Sequence, residues 1–450
     1  MKRSHINFVA ILGLAVGVAI LPACNKQEGC TDINATNYDP DADTEDGSCD
    51  YDTQGSGTNL SGTITSDKTL TSTDIWVLNG RVIVEDGATL TIEAGTIIKG
   101  KQGAGNSASA LIIAKGGKIV ANGTSTQPII FTSELDNIAL GQKVGTNLLK
   151  TDNEKWGGLI LLGNAPVSVE NGDTEGNIEG IPANLGYGEY GGSDANDNSG
   201  TLSYVSIRHC GITIGEGNEI NGLTLGGVGS GTTISNIEIY ATLDDGIECF
   251  GGTVNIENAL VFYQGDDGID IDQNYSGTIN GFAVIHGDGI GTDEGLEIDG
   301  PEGNTNTDGQ FTLSNGICKA DGTSDGSAAD FKSGAQGNVT NVTFDYSSLG
   351  GKQVKFRTKF EAGCVHKADA YKNLSAPTGA QSLTFVNADV TGGLKVYDGD
   401  EELPDTPTAC PTELQAAQGS ATSAVPSGTG STFNYAAQFS WGAAGQKGEL

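Results

Sequence analysis

The chain has 450 residues and a formal net charge of −34, with 57 acidic side chains against 23 Lys and Arg residues. This charge argues against nucleic acid as a partner, because a phosphate backbone attracts basic surfaces. Glycine is abundant at 69 residues, while aromatic residues make up only 6%. Polar, glycine-rich sequence of this kind is typical of many short strands joined by turns rather than of long helices.

Residues 1–23 are predicted to be a signal peptide. A basic M-K-R start precedes an apolar run over residues 8–21, which is too short for a comfortable membrane span but suits a signal-peptide core. The run ends in L-P-A-C. This resembles a bacterial lipobox, with cleavage before Cys24 and lipidation of its thiol; the alternative is an ordinary secretory signal with a chance cysteine. Asn25 and the K-Q-E that follows it resemble lipoproteins sent to the outer membrane and exported to the cell surface.

Residues 24–52 are predicted to form the lipid anchor and a small acidic module. Cys30 and Cys49 enclose 18 residues, and an oxidising compartment favours a disulfide between them. Between them stand alternating acids of the kind that surround calcium: Asp39, Asp41 and Asp43. The sixth position of this loop is Thr44 rather than the glycine of an EF-hand, so a solvated acidic turn is an equal alternative. Residues 53–62 are polar and glycine-rich and are predicted to be a flexible linker.

Residues 63–350 are predicted to form a solenoid of short strands. Segments 81–100 and 111–133 alternate apolar and polar residues, and glycines stand where the chain would turn. Residues 156–163 read W-G-G-L-I-L-L-G, a buried strand in which Trp156 would close the core. Further on, the pattern D-D-G-I-E-C-F from Asp244 returns as D-D-G-I-D-I-D from Asp266 and as D-E-G-L-E-I-D from Asp293.

The repeated pattern sets the length of one coil. Its glycines and those of two looser copies lie 24, 22, 27 and 31 residues apart, at Gly222, Gly246, Gly268, Gly295 and Gly326. A repeat of about this length indicates a solenoid in which each repeat is one coil. The period of two within each copy makes the repeated element a β-strand.

The alternation also predicts which side chains face inward. Four pairs would stack inside the solenoid: Leu223/Leu225, Ile247/Cys249, Ile269/Ile271 and Leu296/Ile298. Glu248, Asp270 and Glu297 would point outward in one column, and Asp272 and Asp299 in the next. Neighbouring coils lie about 4.8 Å apart, so this acidic ladder needs a cation, protonated members or side chains splayed into water.

A family resemblance accompanies these repeats. Residues 156–163, N-E-I-N-G-L-T-L-G-G-V-G-S-G-T-T from Asn218 and F-G-G-T-V-N from Phe250 resemble a family of pectin-lyase-like lipoproteins of Bacteroidota. The resemblance implies an all-β, right-handed, single-stranded parallel β-helix. It implies no particular activity, because this fold carries many chemistries.

A second strand in each coil is apolar on both faces. Val205/Ile207, Ile237/Ile239, Ala259/Val261 and Phe282/Val284 would face inward, yet their outward neighbours Leu260, Phe262, Ala283 and Ile285 are also apolar. Such a sheet must be covered. We expect a long loop or the C-terminal segment to lie there, with a partner protein as the alternative.

The acids are the candidate functional residues. Calcium is the expected cofactor of the ladder, with these candidate ligands: Asp244, Asp245, Glu248, Asp266, Asp267, Asp270, Asp272, Asp293, Glu294, Glu297 and Asp299. A separate loop with Asp194 and Asp197 is either a further calcium site or a turn.

Two enzyme precedents on this fold supply a catalytic alternative. G-D-D-G-I from Gly265 and His286-Gly287 resemble the order of acids and histidine in polygalacturonases, but their other motifs are missing. Lys332 stands where a pectate lyase would carry its base, although an ion pair within the ladder is the favoured interpretation. The alternative catalytic set is therefore Asp266, Asp267, Asp270, His286 and Lys332.

Residues 351–450 are predicted to be an irregular cap and tail. Cys364 and Cys410 have no equivalents in the coils and would form a disulfide in the cap. Residues 411–432 are rich in small residues and are predicted to be loose, and residues 433–441 are predicted to form one last strand. The pairing of Cys210, Cys249 and Cys318 is left open.

Three functions remain open at this stage. The favoured one is a surface-anchored lipoprotein that binds an extracellular polymer, with polysaccharide the expected partner. The alternatives are a polysaccharide lyase or hydrolase that uses the stacked acids, and a purely structural or protein-binding surface protein.

Overall fold

A computed structural model describes residues 28–29, 42, 44–45 and 58–450, with gaps at 104, 216–217, 288–292, 322–325, 347–353, 368, 376–381 and 400–408. The chain divides into two compact units, Met1–Asp52 and Thr53–Leu450. In the first unit, strand β1 (Glu28–Gly29) pairs in parallel with β2 (Thr44–Glu45). The predicted lipidation site, Cys30–Cys49 disulfide and acids at 39, 41 and 43 lie outside the described residues.

The second unit is built from short strands. The early coils contain β3 (Thr58–Ile64), β4 (Lys68–Leu70), β5 (Ile75–Val84), β6 (Thr89–Ile92), β7 (Ile97–Gly100), β8 (Ala110–Ile113), β9 (Lys118–Asn122), β10 (Ile129–Ser133) and β11 (Leu159–Leu162). Two outer hairpins and the middle coils follow: β12 (Glu175–Asn177), β13 (Glu189–Gly191), β14 (Gly200–Cys210), β15 (Ile212–Gly215), β16 (Asn218–Ile220), β17 (Leu223–Gly226), β18 (Thr233–Thr242), β19 (Ile247–Phe250), β20 (Asn255–Phe262), β21 (Ile269–Asp272), β22 (Thr278–His286) and β23 (Leu296–Ile298).

The late coils and the end of the chain add the remaining elements. These are β24 (Phe311–Ala320), β25 (Ala329–Phe331), β26 (Gly337–Asp345), β27 (Val354–Thr358), β28 (Phe360–Glu361), β29 (Val365–His366), α1 (Ala370–Ser375), β30 (Leu383–Val386), β31 (Asp389–Thr391), β32 (Leu394–Asp398), α2 (Pro411–Ala424), α3 (Tyr435–Gln438) and α4 (Ala443–Gln446). None of the described helices is both long enough and apolar enough to span a membrane.

Twenty-four of the strands form one parallel sheet that winds into a β-helix. One face, the ladder face, runs through β8, β11, β17, β19, β21, β23, β25, β27 and β32. The longer strands β14, β18, β20, β22, β24 and β26 contribute the other two faces, because each bends partway along. The predicted all-β parallel β-helix is confirmed.

Asparagines mark that bend, and the sequence prediction missed them. Asn236, Asn258, Asn315, Asn341 and Asn387 have φ values of 54°, 60°, 55°, 54° and 52°, in the left-handed region that asparagine tolerates. Their side chains also bond from coil to coil. Asn387 Nδ2 donates to Asn341 Oδ1 at 2.8 Å, and Asn341 Nδ2 donates to Asn315 Oδ1 at 3.1 Å.

The interior is apolar, as the alternation predicts. All four inward pairs of the ladder face are buried in one continuous core. Trp156 is fully buried there, its ring centroid 6.4 Å from that of Phe131, and its indole N–H donates to Arg208 O at 2.8 Å. Cys210, Cys249 and Cys318 are buried free thiols.

The β-helix extends beyond both predicted limits. Thr58–Ile64, placed partly in the predicted linker, pairs with β5, and β27, β30, β31 and β32 continue the sheet to Asp398. The late coils escaped prediction because basic residues replace the acids there: Asp330 stands beside Lys355, and Lys355 beside Lys395. Cys364 and Cys410 do form the predicted disulfide.

The end of the chain is helical where it was predicted to be loose or a strand. Pro411–Ala424 is a helix, with proline in its first turn and Ala417 and Ala421 packed into the core. Such small apolar side chains give only a weak helical pattern in the sequence. The predicted last strand at 433–441 instead contains α3, capped by the side chain of Asn434, which accepts from Ala437 N.

Residues 433–450 form a C-terminal strap over the apolar outer face. Phe439 and Trp441 pack in one buried cluster with Leu260, Phe262 and Ile285. The same cluster also takes in Ala283, Ala443 and Ala444. The expectation that the C-terminal segment covers this sheet is therefore confirmed.

A buried carboxylate fastens the strap. Glu238 accepts hydrogen bonds from Ala443 N at 2.6 Å, Ala444 N at 3.0 Å and Ser206 Oγ at 2.5 Å. Because backbone N–H groups of the strap donate to this buried side chain, the strap is bound by polar contacts as well as by apolar burial.

Truncating the strap's tryptophan should weaken the fold. Trp441→Ala empties a buried site, so we expect the free energy of unfolding to fall by about 3 kcal/mol. Chemical denaturation followed by circular dichroism measures this. Leu149→Ala is the control, because Leu149 is 62% exposed and should change stability by less than about 0.5 kcal/mol. Equal effects of the two substitutions would contradict this account of the strap.

Candidate metal centre

The outward acids of the ladder face stand in register. Glu248 on β19 lies beside Asp270 on β21, and Asp270 lies beside Glu297 on β23. The column then continues through Asp330 on β25 to Lys355 on β27. The strands hold these side chains outward because their neighbours on either side fill the core.

The acid directly before the glycine of each repeated pattern makes a structural contact. Asp245 Oδ1 accepts from Asp267 N at 2.9 Å, and Asp267 Oδ1 accepts from Glu294 N at 2.6 Å. Asn221 starts the series, because its Oδ1 accepts from Asp245 N at 3.2 Å. These buried side chains therefore join one coil to the next, a role that the sequence prediction missed.

The first acid of each pattern points toward the surface. Asp266 is exposed, and Asp244 and Asp293 are half-buried. Each of them is less buried than the acid that follows it, so it is the more accessible of the two to a ligand.

Three carboxylate trios result from this stacking. In each trio, one oxygen from every residue lies within 4.8 Å of the others: Asp244/Asp245/Asp266, Asp245/Glu248/Asp270 and Asp267/Asp270/Glu297. Two oxygens bound to one calcium ion at about 2.4 Å can be at most about 4.8 Å apart. The trios thus fit the spacing that a single hard cation requires.

Basic partners are unevenly distributed along the ladder. In the late coils Lys332 pairs with Glu297, Lys355 with Glu294 and Arg357 with Asp330. Among the described residues, no Lys or Arg lies within ion-pair distance of the acids from Asp244 to Asp272. The acids of β19 and β21 therefore form no ion pair with any described residue, and the charge of Lys332 only partly opposes the raised pKa values of Asp266 and Asp272.

One buried carboxylate oxygen on the ladder face, Asp270 Oδ1, has no hydrogen-bond partner among the described residues. By contrast, Glu248 accepts a hydrogen bond from the Asn221 amide. A buried acceptor without a donor is costly, and Asp270 belongs to two of the three trios, so its Oδ1 is a candidate ligand for a cation.

Burial raises the pKa of the ladder acids. It is the largest cause for Asp244, whose pKa rises to about 8, and for Glu294, whose pKa rises to about 7. Burial and then neighbouring acids hold the pKa values of Asp245, Asp267 and Asp270 well above the ordinary range. Without a cation, several of these groups must bind protons near neutral pH.

Two further acids beside the ladder were not predicted. Burial, then Glu219, raises the pKa of Glu179 to about 7, and burial, then Asp272, raises that of Glu302 to about 7. Both lie in connecting segments rather than in the strand repeat. No periodic signal in the sequence marks such positions.

Three other predicted site residues lie outside the carboxylate trios: His286, Asp194 and Asp197. His286 is fully buried, and its ring packs edge-on against Tyr346 at 5.2 Å. Asp194 accepts from Asn196 N, and Asp197 accepts from Asn164 Nδ2 and Ser199 Oγ, as in a hydrogen-bonded turn. Neither acid belongs to a carboxylate trio within the part of the chain that the structure describes.

The catalytic alternative finds little support in this arrangement. Asp267 and Asp270 share a trio, but Asp267 is buried and its Oδ1 binds a backbone N–H. His286 has no access to solvent, and Lys332 is held in an ion pair. Only Asp266 among these five side chains is exposed.

These features define a parallel β-helix protein with a ladder of carboxylates on one face. Over residues 62–424 the sequence matches the family described as the pectate-lyase-like β-helix domain. The chain therefore belongs to this family. No curated protein and no solved structure matches it.

The raised pKa values predict an unusual pH dependence. Asp244, Glu179 and Glu302 have pKa values of about 8, 7 and 7 in the folded chain, against about 4 when unfolded. The folded state thus binds more protons between those values, so stability is greatest at the acidic end and falls as pH rises.

In a chelator, we therefore expect the melting temperature to fall as pH rises from about 5 to about 8. Thermal melts at stepped pH in EDTA measure this, and Glu302→Gln should reduce the slope. A melting temperature that stays level or rises over this range would contradict the pKa assignments.

Proposed function

We propose that the protein binds an extracellular polymer, with glycan the favoured class, and that calcium supports the ladder face. A β-helix domain of this family is compatible with a glycan-related function in general terms. The observation that carries the proposal is the row of stacked, largely buried carboxylates from Asp244 to Asp272 without basic partners among the described residues.

Calcium suits the chemistry of this row of carboxylates. Carboxylate oxygens are the ligands that calcium prefers, and it accepts six to eight of them in flexible geometry. Asp245 is common to the first two trios and Asp270 to the last two. A bound divalent ion would convert the repulsion between these coils into coordination.

The mode of binding to a polymer would be polar. Tyr263 and Tyr275 are buried, and Phe250 packs against Tyr190 with ring centroids 5.8 Å apart. These aromatic rings therefore offer no open stacking surface beside the ladder. Calcium ions with open coordination positions and the exposed Asp266 are the groups that would contact hydroxyl or carboxylate groups of a glycan.

The proposed location of the protein rests on its N-terminal segment. We propose that a lipid on Cys24 attaches the chain to the outer membrane, with the β-helix on the outer side of the cell. Support comes from the L-P-A-C end of the apolar run and from Asn25 directly after the cysteine.

Calcium should stabilise the folded chain. An ion that binds only the folded state, at a hundred times its dissociation constant, adds about 2.7 kcal/mol, so millimolar calcium should raise the melting temperature over that in EDTA. Asp270→Asn should reduce this shift, because it alters two trios at once. Asp321→Asn is the matched control, since Asp321 pairs with Lys150 away from the trios. If calcium does not change the melting temperature, the acids of the ladder are protonated or solvated instead of bound to calcium.

Retention on a polysaccharide panel tests the binding function. We expect at least one glycan to retain the protein in calcium and to release it in EDTA, with no new reducing ends and no unsaturated products. Products that disappear in Asp266→Asn would instead establish an enzyme, because Asp266 is the exposed acid of the alternative catalytic set. Lack of retention on every glycan would leave a structural or protein-binding role.

A further inference from the structure

Lys332 lies where the unpaired acids end. Its Nζ pairs with Glu297 and lies 3.5 Å from Asp299 Oδ2. The backbone N–H of Lys332 donates to Ile298 O at 2.9 Å, so the residue belongs to the coil after these two acids. The lysine side chain thus reaches back across one coil step to place its ammonium on the ladder.

The third carboxylate trio shares a residue with this ion pair. Glu297 contributes one oxygen to the trio with Asp267 and Asp270, and it also binds the Lys332 ammonium. A metal ion at this trio would compete for Glu297 and would lie close to a positive charge. The first two trios include neither Glu297 nor Asp299, so Lys332 forms no ion pair with their acids and does not compete for their ligands.

We infer that Lys332 takes the place of a metal ion at the third trio and ends the row of calcium ions. This inference rests on the proposed calcium binding by the first two trios. A separate observation supports a cation within the ladder: Asp270, which belongs to the second and third trios, has a buried Oδ1 without a hydrogen bond from any described residue. The ladder is then neutralised by calcium in its early coils and by the chain's own ammonium in the later one.

The inference predicts that removing the ammonium creates a metal site. Lys332→Met keeps an unbranched side chain and removes the charge, so the variant should bind one calcium ion more than the unaltered protein. Isothermal titration with calcium, checked by equilibrium dialysis, gives the number of ions per chain. Lys150→Met is the matched control, because it removes one charge from an ion pair with Asp321 outside the trios and should leave the number unchanged.

A double variant links the added ion to the third trio. Lys332→Met combined with Glu297→Gln should return to the number of ions bound by the unaltered protein, because the trio loses a ligand. Circular dichroism shows whether each variant folds. Lys332→Gln serves as a second variant if methionine prevents folding, since its amide can still donate to Glu297.

The outcomes separate this inference from the proposed function. Equal numbers for Lys332→Met and the unaltered protein would overturn the role of Lys332 and leave calcium binding intact. An ion in the variant alone would support Lys332 as the replacement and overturn calcium binding by the first two trios. No ion in either protein would overturn both.

Discussion

Parallel strand pairing between coils places each side chain beside its counterpart about 4.8 Å away. For apolar residues this repetition stabilises the fold, because each coil buries the apolar surface of the next. For the bend asparagines it aligns amide donors with amide acceptors, as in the contact between Asn387 and Asn341. For carboxylates the same spacing is unfavourable, because like charges are brought together in a partly buried row. The chemistry of the ladder face follows from this one constraint.

The chain relieves the carboxylate repulsion in different ways at different coils. Asp245 and Asp267 accept hydrogen bonds from backbone N–H groups of the next coil. In the late coils Lys332, Lys355 and Arg357 supply countercharges. Neither device reaches Asp270 Oδ1, so a bound cation would relieve the repulsion most in the coils of β19 and β21.

What could be predicted from the sequence follows from periodicity. Inward pairs such as Ile269/Ile271, and the register of Glu248 with Asp270, follow from a period of two within a repeat of about one coil. The covered sheet was also predictable, because Leu260 and Phe262 could not remain in water. The helical form of the C-terminal strap could not be predicted, because short helices such as α3 and α4 carry no long amphipathic pattern. The position of Glu179 beside the ladder could not be predicted either, because it depends on the path of a segment outside the repeat.

In the late coils the strand register continues although the acidic sequence motif does not. Lys355 and Lys395 occupy the outward position that Glu248 and Asp270 occupy earlier. The late strands continue the same sheet, but a lysine replaces the acid at the outward position. The acidic pattern in the sequence therefore ends before the β-helix does. Fold is therefore encoded in the inward positions, which stay apolar in every coil. The outward positions can carry either acidic or basic side chains. The coil at which the side chains change from acidic to basic limits where a cation can bind. Family membership accordingly establishes the β-helix, whereas the binding chemistry depends on the outward side chains of this chain.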